Sequence, residues 1–243
     1  MTVEAHAKIN WTLEVSGVRP DGYHDLRSVV LPVALHDVVT LDLADGISCV
    51  TEGLEVPQEK NLAYRAAIAL KEATGCPLGV SIAIAKRIPA GAGLGGGSSD
   101  AAAVLNALNS MWDLSLPCSR LCEIAAGIGS DIPALVMGGP VLMEGRGERV
   151  RRIDGGLMEE LGIGELPSPE SIEVFWPGIF SSTPAVYREF RDSDRALGPN
   201  DLQPAALRLY PAIADALAHL EIKGLARVTM SGSGSAVYGV KRP

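Results

Sequence analysis

The sequence predicts an α+β fold in two closely packed domains, and three observations carry that expectation. Strand-like and helix-like segments follow one another without strict βαβ alternation. A glycine-rich stretch, Ile88 to Ala103, lies between a strand pattern and a helix pattern. After Arg152 the composition turns irregular, with glycine, proline and acidic residues collected between Asp154 and Ser171. That shift divides the 243-residue chain into residues 1–153 and 154–243. The length suits one large domain or two smaller ones.

Residues 3–15 predict a strand. Ala5, Ala7 and Ile9 interleave with Glu4, His6, Lys8 and Asn10, which puts Lys8 and Asn10 on one face. A turn follows over 16–24, where Pro20-Asp21-Gly22 is strong turn chemistry and Tyr23 and His24 sit just beyond it. The apolar runs Val29 to Leu35 and Val38 to Leu43 read as an antiparallel pair. Asn61 to Thr74 is an amphipathic helix, N-capped by Asn61 and stopped by Gly75, with Leu62, Ala66, Ala69 and Leu70 as its apolar face. Val80 to Ala85 is the strand before the glycine stretch. Ala101 to Trp112 is a small-residue helix that can lie close beneath a sheet, and Ser119 to Ile128 is another helix. Gly129-Ser130-Asp131-Ile132-Pro133 turns into a short apolar segment, Ala134 to Met137. Val141 to Met143 with the turn Glu144-Gly145-Arg146-Gly147-Glu148 predicts a hairpin.

In the second half, Ile172 to Trp176 reads as a strand, and Ser182-Thr183-Pro184 opens a helix reaching about Phe190. Asn200 to Ala206 leads into a helix through Leu220. The strands Ala226 to Met230 and Ala236 to Val240 flank a second glycine loop, Ser231-Gly232-Ser233-Gly234-Ser235. There is no internal repeat and no low-complexity tract.

The stretch Ile88 to Ala103 predicts a phosphate cradle. Glycine lets a bulky anion approach the main chain without meeting a Cβ. Ser98, Ser99 and Asp100 are suitable N-caps for the helix that follows, and the free N–H groups and dipole of a first helical turn favour phosphate. Gly91, Gly93 and Gly96 also satisfy G-x-G-x-x-G, which points to a dinucleotide loop. Such a loop follows its strand directly, whereas Lys86-Arg87-Ile88-Pro89 intervene here. No Gly-Lys-Ser/Thr completes a Walker loop, and a flexible Gly/Ser linker is seldom flanked so closely by strand and helix patterns.

A formal net charge of −8 argues against nucleic-acid binding but not against a nucleotide substrate, which needs only a local positive site. Cys49, Cys76, Cys118 and Cys122 form no C-x-x-C pair, and no histidine falls at zinc-site spacing from them. They read as buried free thiols, in keeping with a reducing cytoplasm. The N-terminus lacks the basic and apolar regions of a signal peptide, and no apolar run approaches the length of a membrane span.

Ala7-Lys8-Ile9-Asn10, the loop from Pro89 to Ser99, and Met230 to Ser235 together resemble the GHMP small-molecule kinases. Five further stretches narrow the resemblance: Gly17 to Leu26, Gly95 to Asp100, Gly129 to Pro133, Glu144 to Glu148, and Asn200-Asp201-Leu202-Gln203-Pro204. In that order, over nearly the whole chain, they are similar to the branch acting on 4-diphosphocytidyl-2-C-methyl-D-erythritol in the non-mevalonate (MEP) isoprenoid pathway. The resemblance implies a two-domain GHMP kinase fold, with a ribosomal protein S5 domain 2-like N-terminal domain and a ferredoxin-like C-terminal domain. It implies ATP-dependent phosphorylation of the substrate's 2-hydroxyl by a cytoplasmic enzyme, a monomer or weak homodimer, whose partner is the small-molecule substrate rather than nucleic acid or membrane.

By that resemblance, Asp131 accepts or orients the hydroxyl proton and Lys8 lies beside it. Pro89-Ala90-Gly91-Ala92-Gly93-Leu94-Gly95-Gly96-Gly97-Ser98-Ser99 hold the triphosphate, with Asn61 and Lys86 near the nucleotide. Asn10, Tyr23, His24, Thr183 and Tyr187 lie near the methylerythritol and cytidine parts. Mg²⁺ is expected with ATP; no carboxylate cluster presents itself, so no residue is assigned as a metal ligand and the phosphates and water supply the coordination. Three departures stand out. Val30 occupies a position where the family often has an aromatic, which predicts a thinner wall for the cytidine pocket. The irregular segment 155–169 is longer than expected. Pro243 follows directly on a strand, where the family continues with a helix and strand, so an incomplete C-terminal domain with an uncovered sheet edge is expected. The rival readings are a GHMP kinase for mevalonate, homoserine or a sugar, a non-catalytic nucleotide-binding homologue, and a dinucleotide-dependent oxidoreductase.

Overall fold

Strand β1 (Thr2–Val18) runs antiparallel to the 21-residue strand β2 (His24–Ala44), and the other elements are placed against that pair. The computed structural model describes residues 1–19, 24–53 and 56–242. The predicted turn residues Pro20, Asp21 and Gly22, and with them Tyr23, lie outside the described residues.

The runs Val29 to Leu35 and Val38 to Leu43 are not two strands but one, β2. No glycine, Pro-Asp or Asn-Gly turn separates them, so the backbone stays extended through Ala34-Leu35-His36-Asp37. The chain bends instead of reversing. Its register with β1 shifts between His6 and Lys8, and again between Asn10 and Thr12, as irregularities of this kind allow. The two ends of β2 then take different neighbours along its other edge.

Beyond β2 come β3 (Ile47–Glu52), helix α1 (Leu62–Thr74) and β4 (Gly79–Ala85). Strands β3 and β4 are parallel, so α1 is their crossover. Asn61 caps α1 as expected, its side chain accepting from Ala63 N at 2.9 Å, and Gly75 closes it. Next are α2 (Gly96–Met111), α3 (Cys118–Ala126), α4 (Ile132–Met137), and the hairpin β5 (Val141–Gly145) and β6 (Arg149–Arg152). The sheet order is β3-β4-β2-β5-β6, with β1 on β2. Val38 to Ala44 pair with β4, and Leu26 to Val30 pair with β5. The alanines of α1 and α2 pack against Val39, Leu41, Ile82 and Ile84 in a dry core. Their small side chains permit the close approach that this composition predicts.

The second half contains α5 (Gly155–Leu161), β7 (Ile172–Phe175), α6 (Thr183–Glu189), α7 (Gln203–Leu209), α8 (Ala212–Ile222), β8 (Ala226–Met230) and β9 (Val237–Val240). Two expectations are corrected here. The segment after Asp154 is not wholly irregular, because Asp154 caps α5 by accepting from Leu157 N at 2.9 Å and Leu157 is buried. The helix expected to continue to Leu220 breaks at Tyr210-Pro211, where the residue before proline leaves the helical region. The antiparallel order is β7-β9-β8. No helix among the described residues is long and apolar enough to cross a membrane.

Strand β1 serves both halves. Leu13 and Val15 share a core with Val186, Leu202, Ile213 and Val237, while Ala7 and Ile9 share another with Leu94, Ile172 and Tyr238. Backbone bonds reinforce the join: Leu13 N donates to Pro199 O at 2.8 Å, and Asp201 N donates to Leu13 O at 2.9 Å. Asp201 Oδ2 accepts from Val15 N at 2.9 Å. Buried Asn200 donates from Nδ2 to Met230 O and Gly232 O, both at 2.9 Å. Gln203 Oε1 accepts from Met230 N at 2.8 Å. Asn200-Asp201-Leu202-Gln203-Pro204 thus ties the second glycine loop to β1. Asn200→Ala leaves two buried carbonyls without that donor and is expected to cost about 2 kcal/mol or more. Urea unfolding measures this, and a loss below about 0.5 kcal/mol would mean the loop is docked by other contacts.

Candidate active site

A cleft of about 440 Å³ opens between the glycine stretch, β1, Asp131, Thr183 and Tyr187. Its floor is built by an interlock of the two glycine loops. Lys8 N donates to Leu94 O at 3.0 Å, and Ala236 N donates to Ala92 O at 2.9 Å. Ser231 Oγ donates to Gly93 O at 2.9 Å and accepts from Asn10 N at 3.3 Å. Gly93 has φ +78°, and a Cβ there would stand 2.3 Å from Ser231 O, so only glycine lets the loops meet this closely. The side chains of Ile88, Ala92 and Leu94 turn into the core, which leaves the loop's backbone for the cleft.

Helix α2 begins earlier than expected. Gly95 is its N-cap, and Ser98, Ser99 and Asp100 lie within its first turns. The N–H groups of Gly96, Gly97 and Ser98 lack carbonyl partners within the helix, and all three residues line the cleft. Ser99 does not. Its N–H and Oγ both donate back to Gly95 O, at 2.8 and 3.0 Å, and it lines a separate hollow. Val30 lines that hollow too, in a small cluster with Ala134, Val141 and Met143.

Lys8 is buried, with 4% of its surface exposed. Its Nζ donates to Asn10 Oδ1 at 2.7 Å and lies 3.3 Å from Asp131 Oδ2. Asn10 Nδ2 donates to Ser28 Oγ at 2.7 Å, and Ser28 Oγ donates to Thr12 O at 2.6 Å. Asp131 occupies the N-cap position of α4, yet its side chain makes no capping bond. The carboxylate is left facing Lys8 with 34% exposure, open to a ligand. The hairpin turn supports it from behind. Gly147, at φ +119°, packs so closely that a Cβ would lie 2.5 Å from Ser130 O.

A second lysine centre lies at the other end of the loop. Lys86 Nζ is 2.5 Å from Asp37 Oδ2 and 2.7 Å from Asp100 Oδ2. Asp37 Oδ1 also accepts from Ile88 N at 2.8 Å, so this aspartate anchors the entry to the glycine stretch. Burial pushes the Asp100 carboxyl up to about 7, although the Lys86 charge opposes the shift. On the far wall, Thr183 Oγ1 and Ser233 Oγ are 2.7 Å apart. The His24 and Tyr187 rings are 5.0 Å between centroids. Burial, and then the charge of Arg195, hold His24 below the usual imidazole range. Burial, and then the charge of Asp131, raise the Tyr187 hydroxyl.

The family model for the GHMP kinases N terminal domain matches residues 61–139, and that for the GHMP kinases C terminal matches residues 183–243. A 4-diphosphocytidyl-2-C-methyl-D-erythritol kinase from Pelotomaculum thermopropionicum is 40% identical over 99% of this chain and 88% of its own. The chain belongs to the 4-diphosphocytidyl-2-C-methyl-D-erythritol kinase family. A crystal structure titled as a 4-(cytidine 5'-diphospho)-2C-methyl-D-erythritol kinase superposes with a TM-score of 0.81 at 35% identity, covering 99% of this chain and 90% of that one. Homoserine kinase from Cytophaga hutchinsonii superposes at 0.67 with 19% identity, over 98% of this chain and 85% of that one, and shares the fold alone.

In this 4-diphosphocytidyl-2-C-methyl-D-erythritol kinase family member, the cleft brings together Lys8, Asn10, Asn61, Lys86, Pro89 to Ser98, Asp131, Thr183 and Tyr187. His24 packs its ring against Tyr187, and Tyr23 lies outside the described residues. Sequence reading missed Ser28, Asp37, and Asp100 as a partner of Lys86. Each is a buried polar residue on an otherwise apolar or turn-forming segment, and that mismatch is the only local signal they carry. Asp100 yields a pH test. Its carboxyl goes from 3.8 to about 7 on folding, so the folded state holds a proton that the unfolded state has released, and this group's contribution to stability falls as pH rises between those values. The stability of Asp100→Asn relative to wild type is therefore expected to increase from about pH 5 to about pH 8 in urea unfolding. Parallel pH profiles would mean that Lys86 keeps Asp100 ionised throughout.

Proposed function

We propose that the protein transfers the γ-phosphoryl group of ATP to the 2-hydroxyl of 4-diphosphocytidyl-2-C-methyl-D-erythritol, in the MEP route to isoprenoid precursors. One observation carries the mechanism: an uncapped carboxylate, Asp131, faces a buried ammonium, Lys8, beside the N-terminus of α2. In this reading the substrate hydroxyl lies against Asp131, which takes or orients its proton as the oxygen attacks phosphorus. The P–O bond to ADP breaks as the new one forms. Lys8 pairs with Asp131 and draws charge from the transferring phosphoryl group.

The free N–H groups of Gly96, Gly97 and Ser98, and the backbone of Pro89 to Gly95, fit a triphosphate. Asn61 and Lys86 flank the nucleotide. Lys86 acts there through the Asp37 and Asp100 network that shapes the loop. Thr183 and Tyr187 bound the substrate side, Asn10 orients Lys8, and His24 holds Tyr187 for stacking on the cytosine with Tyr23. Mg²⁺ accompanies ATP, with phosphate and water as most of its ligands. The protein is a cytoplasmic monomer or weak homodimer of two domains that meet after Ile153.

The test is ADP release with Mg²⁺, ATP and the cytidyl substrate, with mevalonate, homoserine and galactose as competitors. Asp131→Asn is expected to lower turnover at least ~10²-fold with little change in ATP affinity. An unchanged rate would remove Asp131 from the chemistry. Tyr187→Ala is expected to raise KM for the cytidyl substrate more than it lowers kcat. Equal loss toward every alcohol would instead assign the ring to packing.

A further inference from the structure

Two of the four histidines in this sequence stand directly opposite each other. His6 on β1 and His36 on β2 are cross-strand partners, with ring centroids 5.2 Å apart. Glu4 lies two residues before His6, on the same face of β1. Its carboxylate oxygens reach His6 Nε2 at 3.2 Å and His36 Nε2 at 3.6 Å. One ligating atom from each residue lies within 4.8 Å of the other two. The second nitrogen of each ring is also held: Nδ1 of His6 is 2.9 Å from Val33 O, and Nδ1 of His36 is 2.9 Å from Ala34 O. A carbonyl oxygen only accepts, so each Nδ1 carries a hydrogen, which leaves the Nε2 of each ring as the atom that can take an ion. Metal-binding histidines are commonly oriented by such a bond from the other ring nitrogen.

We propose that Glu4, His6 and His36 form a binding site for a divalent transition-metal ion of the zinc class, with its fourth position open to water. Ligands at zinc bond lengths of about 2.0–2.1 Å in a tetrahedron stand roughly 3.3 Å from one another. Glu4 Oε2 to His6 Nε2, at 3.2 Å, matches that spacing, and Glu4 Oε1 to His36 Nε2, at 3.6 Å, closes to it by a small side-chain rotation. The two imidazoles favour zinc-class ions, whereas Mg²⁺ takes oxygen ligands and keeps its water. Arg87 is the competitor, its Nη1 3.5 Å from His36 Nε2. Arg87 is exposed, and its long side chain moves into water when the ion enters. The site sits where the β1–β2 register shifts, two residues before Lys8 and beside Asp37. A bound ion therefore clamps the two strands that carry Lys8 and the anchor of Lys86. The full chain, stripped with EDTA and desalted, provides the test by calorimetric titration with ZnCl₂ and by thermal unfolding.

One ion per chain is expected. At ten times Kd, Tm is expected to rise by about 3–6 °C, with no rise from MgCl₂ at the same concentration. His6→Gln and His36→Gln are each expected to weaken binding at least ~10-fold, without change in metal-free Tm or in turnover with Mg²⁺ and ATP. Arg87→Ala is expected to bind as well as wild type or more tightly. The Cys118 and Cys122 sulfurs, 4.0 Å apart, are the alternative zinc ligands. A Co²⁺ spectrum of the unmodified chain is expected to show tetrahedral bands without thiolate charge transfer. A thiolate band, the absence of any zinc-dependent heat, or wild-type affinity in both histidine variants would overturn the site.

Discussion

A lysine ammonium removed from water must be paired, and the pairing of Lys8 organises the middle of this molecule. Its Nζ has Asn10 at 2.7 Å and Asp131 at 3.3 Å. Asn10 is positioned in turn by Ser28, and Ser28 by the carbonyl of Thr12. The irregularities in β1 fall on either side of this pair of residues. Between them the strand alternates regularly, which keeps Ala7 and Ile9 in the core while Lys8 and Asn10 reach the cleft. The backbone N–H of Lys8 then holds Leu94, so the residue that supplies the charge also positions the glycine stretch.

From that point the rest of the site follows by close packing. The first glycine loop docks on the second, and the second is held by Asn200 and Gln203. Asp201 returns the connection to β1 through Val15. A motif outside the cleft thereby joins the second glycine loop to β1.

The two lysine centres differ in what they leave available. Lys86 is enclosed by two buried carboxylates, so its charge is spent internally and its network shapes the entry to the loop. Asp131 is one-third exposed and makes no helix-capping bond, so its free lone pairs face the cleft. Burial, more than residue type, separates a lysine–aspartate group enclosed by the fold from one that is open to the cleft.

Local patterns in the chain were enough for much of this. The alternation around Lys8, the Asn61 cap, the glycine stretch between strand and helix, and the ordered motifs all depend on near neighbours or on a specific string of residues. Local chemistry also explains the misjudged segments: an Asp154 cap and a Pro211 break were present in the sequence but outweighed by composition and periodicity. What only the tertiary structure decided depends on contacts between distant residues. That β2 is one bent strand, that Ser28 supports Asn10, that Asp37 and Asp100 share Lys86, and that His6 faces His36 all follow from strand register and loop docking. Backbone pairing and loop docking fix those neighbours across 14 to 49 residues, beyond the reach of the strand and helix periodicities read from the sequence.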